Sequence, residues 1–262
     1  MRLKSRYGMF VLCAALAVAI AAGCSKKPVE QEAVAEPAPT ATVDPATVGS
    51  ITGTVMLEGT PPTYHPIDMQ AEPPCAKANP TPVIPPIVMT GAHGELANAV
   101  VYIKSGLGSY HFDTPSAPAV LDQEACMYVP RVVALMTGQD LHVKNTDPTS
   151  HNIHFMPHMN KQWNFSMPSG ADPLDTHFDK QELAIPVMCN VHPWMRAFLF
   201  VFAHPYFAVT PKTGTFELRG VPPGTYTIEA WQEKFGTQDQ TVTIGPKESK
   251  VISFTFHAAS AH

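Results

Sequence analysis

From Gly49 onward the chain advances in short runs of β-branched and aromatic residues that glycine and proline keep cutting off. GSITGTVMLEG alternates small or polar with apolar residues and stops at Gly-Thr-Pro-Pro. LANAVVYIKSG, VVALMTGQDLHVKNTD, MRAFLFVF, GTFELRGV, GTYTIEAWQ, QTVTIG and KVISFTF repeat that form. No long stretch keeps a helical apolar period. Short strands with frequent turns bury their side chains by stacking sheets, so the expected class is all-β: antiparallel Greek-key sandwiches. The stretch from His158 to Leu183 is polar and holds Met, Gly, Pro and Asp. It reads as a long loop with room for one strand.

The N-terminus has another use. Arg2, Lys4 and Arg6 precede an apolar run from Met9 to Ile20, and small residues lead to Cys24. A positive start, a short apolar stretch and small residues at the cut describe an export signal over residues 1–23. The run is short for a membrane-spanning helix. AAGC resembles a bacterial lipobox, which implies lipidation of Cys24 and anchorage to the periplasmic face of a membrane, or to the cell surface. Ser25 after that cysteine favours an outer membrane by the same resemblance. Residues 24–48 are rich in Pro, Ala and Glu, cannot build a core, and read as a disordered tether. The net charge of −5 offers no basic field, so nucleic acid is not an expected partner.

Of the five cysteines, Cys13 lies in the signal and Cys24 is the lipidation site. Cys75 and Cys126 have no neighbours at zinc-ligand spacing. In an oxidising compartment the simplest account is a disulfide between them, with two free buried thiols as the alternative.

At the C-terminal end, GTFELRGVPPGTYTIEAWQEKFGTQDQTVTIG resembles the carboxypeptidase regulatory-like (transthyretin-like) β-sandwich. GSITGTVMLEG and LANAVVYIKSG look like that family's first strands. The resemblance implies a sandwich split into 49–108 and 206–257, with residues 109–205 inserted between the halves. It implies no peptidase activity, and no H-x-x-E pair is present.

The insert carries MCNVHPWMR, which sets Cys189, His192 and Met195 three residues apart. Thiolate and thioether are soft donors. Zinc rarely takes a thioether, whereas two His and a Cys with a distant Met form the blue-copper set. The missing His lies upstream in SHNIHF. His151 is favoured over His154, because residues three apart on a strand face opposite ways. SHNIHF followed by CNVHPWM is similar to the cupredoxins, above all those of the amicyanin type, with P-H-N-x-H-F and C-x-P-H-P-x-M. Two departures are Ser150 where proline is usual and a longer, Met-rich gap between the ligand segments. The resemblance implies a cupredoxin domain over 109–205 and one type 1 copper held by His151, Cys189, His192 and Met195. It makes Asn152 the residue whose hydrogen bonds tie the ligand segments together beside the thiolate. It also implies electron exit through an exposed edge of His192, with Trp194 close by.

The function expected is one-electron transfer by Cu(II)/Cu(I) cycling between exported redox partners, a cytochrome or a dehydrogenase, and not catalysis. The alternatives are copper binding or delivery, and a surface structural role without redox chemistry. Met156, His158, Met159, Met167 and His177 raise the question of a second copper site in the region 154–177.

Overall fold

The computed structural model describes residues 41–258. The export signal, Cys13, Cys24, most of the tether and His262 lie outside the described residues. Residues 41–48, read above as tether, lie against the body: the Ala41 N–H donates to Ser109 O (3.2 Å), and the His111 N–H donates to Ala41 O (3.2 Å). Among the described residues no helix is long and apolar enough to cross a membrane.

The described residues are almost wholly β, as the turn-punctuated sequence predicts. In chain order come β1 (Gly49–Glu58), the short helix α1 (Pro73–Ala78) and β2 (Val100–Ser105). Next are β3 (Ala119–Glu124), β4 (Met127–Val129), β5 (Val132–Met136), β6 (Leu141–Val143), β7 (His151–Phe155) and β8 (Trp163–Met167). Then follow β9 (Leu174–Thr176), β10 (Glu182–Met188), β11 (Arg196–Phe202) and β12 (Phe207–Val209). The last four are β13 (Thr215–Val221), β14 (Gly224–Gln232), β15 (Gly236–Ile244) and β16 (Ser249–His257). The expected long loop before Leu183 holds two strands, β8 and β9. They are polar and short because most of their side chains face solvent.

The strands form four sheets, ordered β13-β1-β16, β12-β2-β14-β15, β5-β11-β10-β7-β8 and β4-β3-β6-β9. Most pairings are antiparallel, but β1–β16, β5–β11 and β3–β6 are parallel. Each gap between sheets is filled by its own side-chain cluster. Between the first two sheets lie Ile51, Val55, Ile103, Leu218, Ile228 and Phe254. Between the last two lie Leu121, Leu135, Val143, Phe155, Val187 and Leu199. Val100, Tyr102, Val132, Phe200 and Phe202 join the two sandwiches. The joining cluster explains why AFLFVF and VVYI are apolar without a break. Alternate side chains of a strand face opposite ways, and on β11 and β2 both faces are covered.

Two features tie this scaffold to the region of the C-x2-H-x2-M motif. The Arg131 guanidinium grips Glu233, at the end of the β14–β15 hairpin, through Nε–Oε2 (2.6 Å) and Nη2–Oε1 (2.8 Å). Its Nη1 donates to the carbonyl of Arg196 (3.2 Å), the residue after Met195. A bidentate, charge-assisted pair of this kind fixes direction as well as distance. In addition, the chain between β1 and β2 leaves the β1–β16 sandwich, to which the sequence assigns it. Ile67, Met69, Cys75, Ala76 and Val83 pack on the other sandwich instead. Cys75 and Cys126 are joined there as a disulfide.

His204, between β11 and β12, is buried beside the rings of Phe202 and Tyr206, and its Nδ1 accepts the Tyr206 N–H (3.2 Å). Burial pushes its pKa down to about 4, with backbone hydrogen bonding at Ile103 offsetting part of the effect. The unfolded chain, titrating near 6.5, therefore binds a proton that the fold excludes. Stability is full above about pH 6.5 and is lost as pH falls through about 4, by on the order of 3 kcal/mol from this residue. His204→Asn keeps an acceptor for the Tyr206 N–H. It is expected to flatten that part of the pH profile in urea unfolding at pH 7 and pH 4.5. Parallel profiles for the two proteins would remove His204 as the cause.

Candidate metal centre

β10 and β11 form a hairpin, with Met188 opposite Arg196, and its loop is Cys189–Met195. The loop is drawn tight by its own backbone. The Cys189 N–H donates to Met195 O (3.2 Å) and the Met195 N–H donates to His192 O (2.9 Å). The His192 N–H points at Cys189 Sγ (3.4 Å). These are turn contacts between residues three and six apart, so the spacing of three brings the side chains back to one place. β7 pairs with β10 through Phe155–Val187 and His154–Met188, and so carries His151 up to the loop.

Three donors converge there. His151 Nδ1 and His192 Nδ1 are 2.9 Å apart, and Cys189 Sγ is 3.8 Å from His192 Nδ1. One donor atom from each of these three residues lies within 4.8 Å of the others. All three are at most 1% exposed, and Met195, which closes the loop, is fully buried. Asn152 binds the two segments together. Its N–H points at Cys189 Sγ (3.4 Å), and its Oδ1 accepts the Asn190 N–H (3.1 Å).

One residue of the site was not singled out from sequence. Asp147 accepts the N–H groups of Ala125 and Cys126 (both 2.7 Å) and bonds His151 Nε2 (2.7 Å). A carboxylate so placed holds a proton of His151 on Nε2, so that in the neutral ring Nδ1 is the acceptor, the usual arrangement for an imidazole that ligates a metal. The signal was a carboxylate four residues before the first ligand, inside the turn NTDPTSH. Turn chemistry alone accounts for such an Asp, which is why it passes unnoticed.

The electrostatics follow from this packing. Burial opposes a charge on His151, but the bond to Asp147 and the nearby Cys189 thiol outweigh it and push the pKa up to about 9. Burial also opposes a Cys189 thiolate. His151 and the backbone N–H groups of His192, Asn152 and Val191 prevail, so its pKa is lowered. Burial, then repulsion from His151, lower the pKa of His192. Two imidazole acceptors facing each other beside a thiol cannot satisfy one another without a proton or a cation between them. Thiolate and imidazole together suit a soft or borderline metal ion.

The other possibilities raised by the sequence separate. His154 faces away from the cluster, half-exposed, with Gln162 Nε2 and Asn190 Oδ1 as its partners. Met167 is buried in the core, where Gln123 Nε2 meets its sulfur (3.0 Å), while Met156 and Met159 are exposed. The latter three side chains therefore do not share one environment. Cys126, Asp147 and His151 also cluster, but the sulfur of Cys126 is bonded to Cys75.

One expectation is overturned. The sequence resemblance implies an exposed edge on His192, yet this ring is only 1% exposed. Its Nε2 faces Glu72 Oε2 (3.7 Å) and Cys75 Sγ (3.8 Å). The cause is α1, which the disulfide brings down over the imidazole. Trp194 is half-buried, its ring 5.1 Å from His192 and its indole N–H bonded to Cys126 O (3.0 Å).

Asp147→Asn keeps size and one acceptor but loses the charge opposite His151. Metal binding is expected to weaken by about 10–100-fold, as is usual when the partner of a ligating His is altered. Competition against a chelator measures it. A change below twofold would show that Asp147 does not orient His151.

Residues 183–252, running from β10 into β16, match the family described as polysaccharide lyase family 4, domain II. That is a different description from the carboxypeptidase regulatory-like sandwich that the sequence resembles. No curated protein matches the chain. Among solved structures, a purple cupredoxin from Nitrosopumilus maritimus is 21% identical, over 32% of this chain and 98% of its own, with a TM-score of 0.27. A copper-containing nitrite reductase from Thermus scotoductus is 17% identical over 37% of this chain and 24% of its own (TM-score 0.30). Amicyanin from Paracoccus versutus is 20% identical over 38% and 96% (TM-score 0.29).

Proposed function

We propose that this chain is a type 1 copper protein that passes single electrons between exported redox partners, such as a cytochrome and a dehydrogenase. The observation that carries the reading is the convergence of His151 Nδ1, His192 Nδ1 and Cys189 Sγ in a buried space. Met195 would be the weak fourth donor. The bound ion would supply one-electron Cu(II)/Cu(I) chemistry. The residues do the rest. Asp147 holds the His151 tautomer. The backbone N–H groups of Asn152 and His192 stabilise negative charge on Cys189 Sγ. The loop hydrogen bonds and the Arg131 grip keep the donors from shifting as charge changes. A frame that moves little needs little reorganisation for each electron. Burial of all four side chains excludes water.

The same burial weighs against copper as cargo, since handing over a metal calls for ligands that other molecules can reach. With four protein donors no position is left for substrate, which favours transfer over catalysis. In this reading a lipid on Cys24 would hold the body at the periplasmic face of a membrane.

The test is a visible and EPR spectrum of the Cu(II)-loaded protein, followed by voltammetry. An intense thiolate charge-transfer band, narrow parallel hyperfine splitting and a reversible one-electron wave are expected. A weak spectrum typical of tetragonal copper would point to copper delivery instead.

A further inference from the structure

We propose that the segment between β1 and β2, fastened by Cys75–Cys126, is a closed cover over His192. Glu72 and Cys75 would then decide what reaches the imidazole edge. The functional meaning rests on the copper reading, but the cover is a property of the polypeptide alone.

The segment leaves β1 of one sandwich, crosses to the other, and returns to β2. Met69 is buried in the second core, and Ile67, Ala76 and Val83 pack against it half-buried, so the crossing is anchored by packing. The Ile67 N–H also donates to Val83 O (2.9 Å), which pins the base of the excursion. At its tip Pro73 and Pro74 start α1, where proline is tolerated because the first helical N–H groups need no partner. α1 places Cys75, itself buried, against His192 Nε2, with Glu72 just before it on the same atom.

Two bonds then fix the tip to the metal-site loops rather than to the sandwich it came from. The disulfide joins Cys75 to Cys126. Asn79 Nδ2 donates to Ala125 O (2.8 Å). The N–H groups of Ala125 and Cys126 end on Asp147, the partner of His151. The cover and the orienting carboxylate thus share one short loop. The Glu72 carbonyl accepts the Cys75 N–H (2.9 Å) and the Ala76 N–H (3.0 Å), but its side chain caps no N–H of α1, so capping does not explain where the carboxylate lies.

A cover of this kind has a selective effect. A partner protein or a bulky chelator would meet α1 and not the imidazole, and exchange of electrons would have to cross Cys75 or the half-exposed Trp194.

The test uses the metal-free full-length protein and diethyl pyrocarbonate, with modified histidines located by peptide mass spectrometry. A ring nitrogen attacks one carbonyl, an N–C bond forms, and the other half leaves as carbon dioxide and ethanol. His192 is expected to react at least tenfold more slowly than the exposed His93 and His111, roughly what 1.4 kcal/mol of protection supplies. In Glu72→Ala, and in Cys75→Ala/Cys126→Ala, its rate should rise by about tenfold or more, while the buried His204 stays unreactive and reports that the fold persists. If the double variant exposes His204 as well, Glu72→Ala alone decides. Fast reaction of His192 in the parent protein, or the same slow rate in Glu72→Ala, would overturn the cover. Neither result depends on copper, so failure here and failure of the copper spectrum are separate outcomes.

Discussion

Cys189→Ser, loaded with Cu(II), is expected to lose the intense visible band completely and to bind the ion more than about 100-fold more weakly than the parent protein. The band arises from charge transfer out of a thiolate, and a serine hydroxyl keeps its proton at neutral pH. The polypeptide should tolerate the exchange. Cys189 Sγ receives long contacts from the N–H groups of Asn152 and His192, at 3.4 Å each, and oxygen accepts the same donors. Serine is also close in volume, so no large cavity forms. Two controls sharpen the result. His154→Ala should leave the spectrum intact, because that ring faces Gln162 and Asn190. Met195→Leu should keep the band and shift the potential. A band that survives in Cys189→Ser would mean that the thiol is not a ligand.

Cys75→Ala/Cys126→Ala is expected to cost about 4 kcal/mol of folding stability. The two cysteines are 51 residues apart, and opening a loop of that length in the unfolded chain returns roughly that much entropy at 25 °C. Both sulfurs are buried, so lost packing adds to the effect. Urea unfolding of the parent protein, with and without a dithiol, and of the double variant gives the number. A loss below about 1 kcal/mol would mean that strong native-state strain offsets the entropy.

The strands were legible because two-residue alternation and Gly/Pro punctuation are local. So was the ligand loop: Cys189, His192 and Met195 are six residues apart end to end, and a tight hairpin loop is enough to gather them. Strand parity meant that only one of His151 and His154 could face the loop, and the resemblance chose His151. What escaped was the crossing between β1 and β2. GTPPTYHPIDMQAEPPCAKANP has no period to say which core its few apolar residues join. Its position in the sequence pointed to the β1–β16 sandwich, and the structure places it on the other. The disulfide held the clue. Cys126 lies inside the insert, so a bond from Cys75 required the chain around it to travel there. Asp147 escaped for the opposite reason: its turn explained it too well locally. The exposed edge of His192 failed because it came from a resemblance that covers the ligand loop and not the segment lying over it.

The parallel pairing of β1 with β16 has a mechanical side. Nine successive residues, Ser50 to Glu58, lie opposite Ser249 to His257, all running the same way. A pull at residue 49 and a counter-pull at residue 257 would therefore slide the two strands along each other. Every bond of the ladder would carry the load together, where an antiparallel hairpin pulled at its ends opens one bond at a time. Tension between these two ends would thus be met by all nine residue pairs at once.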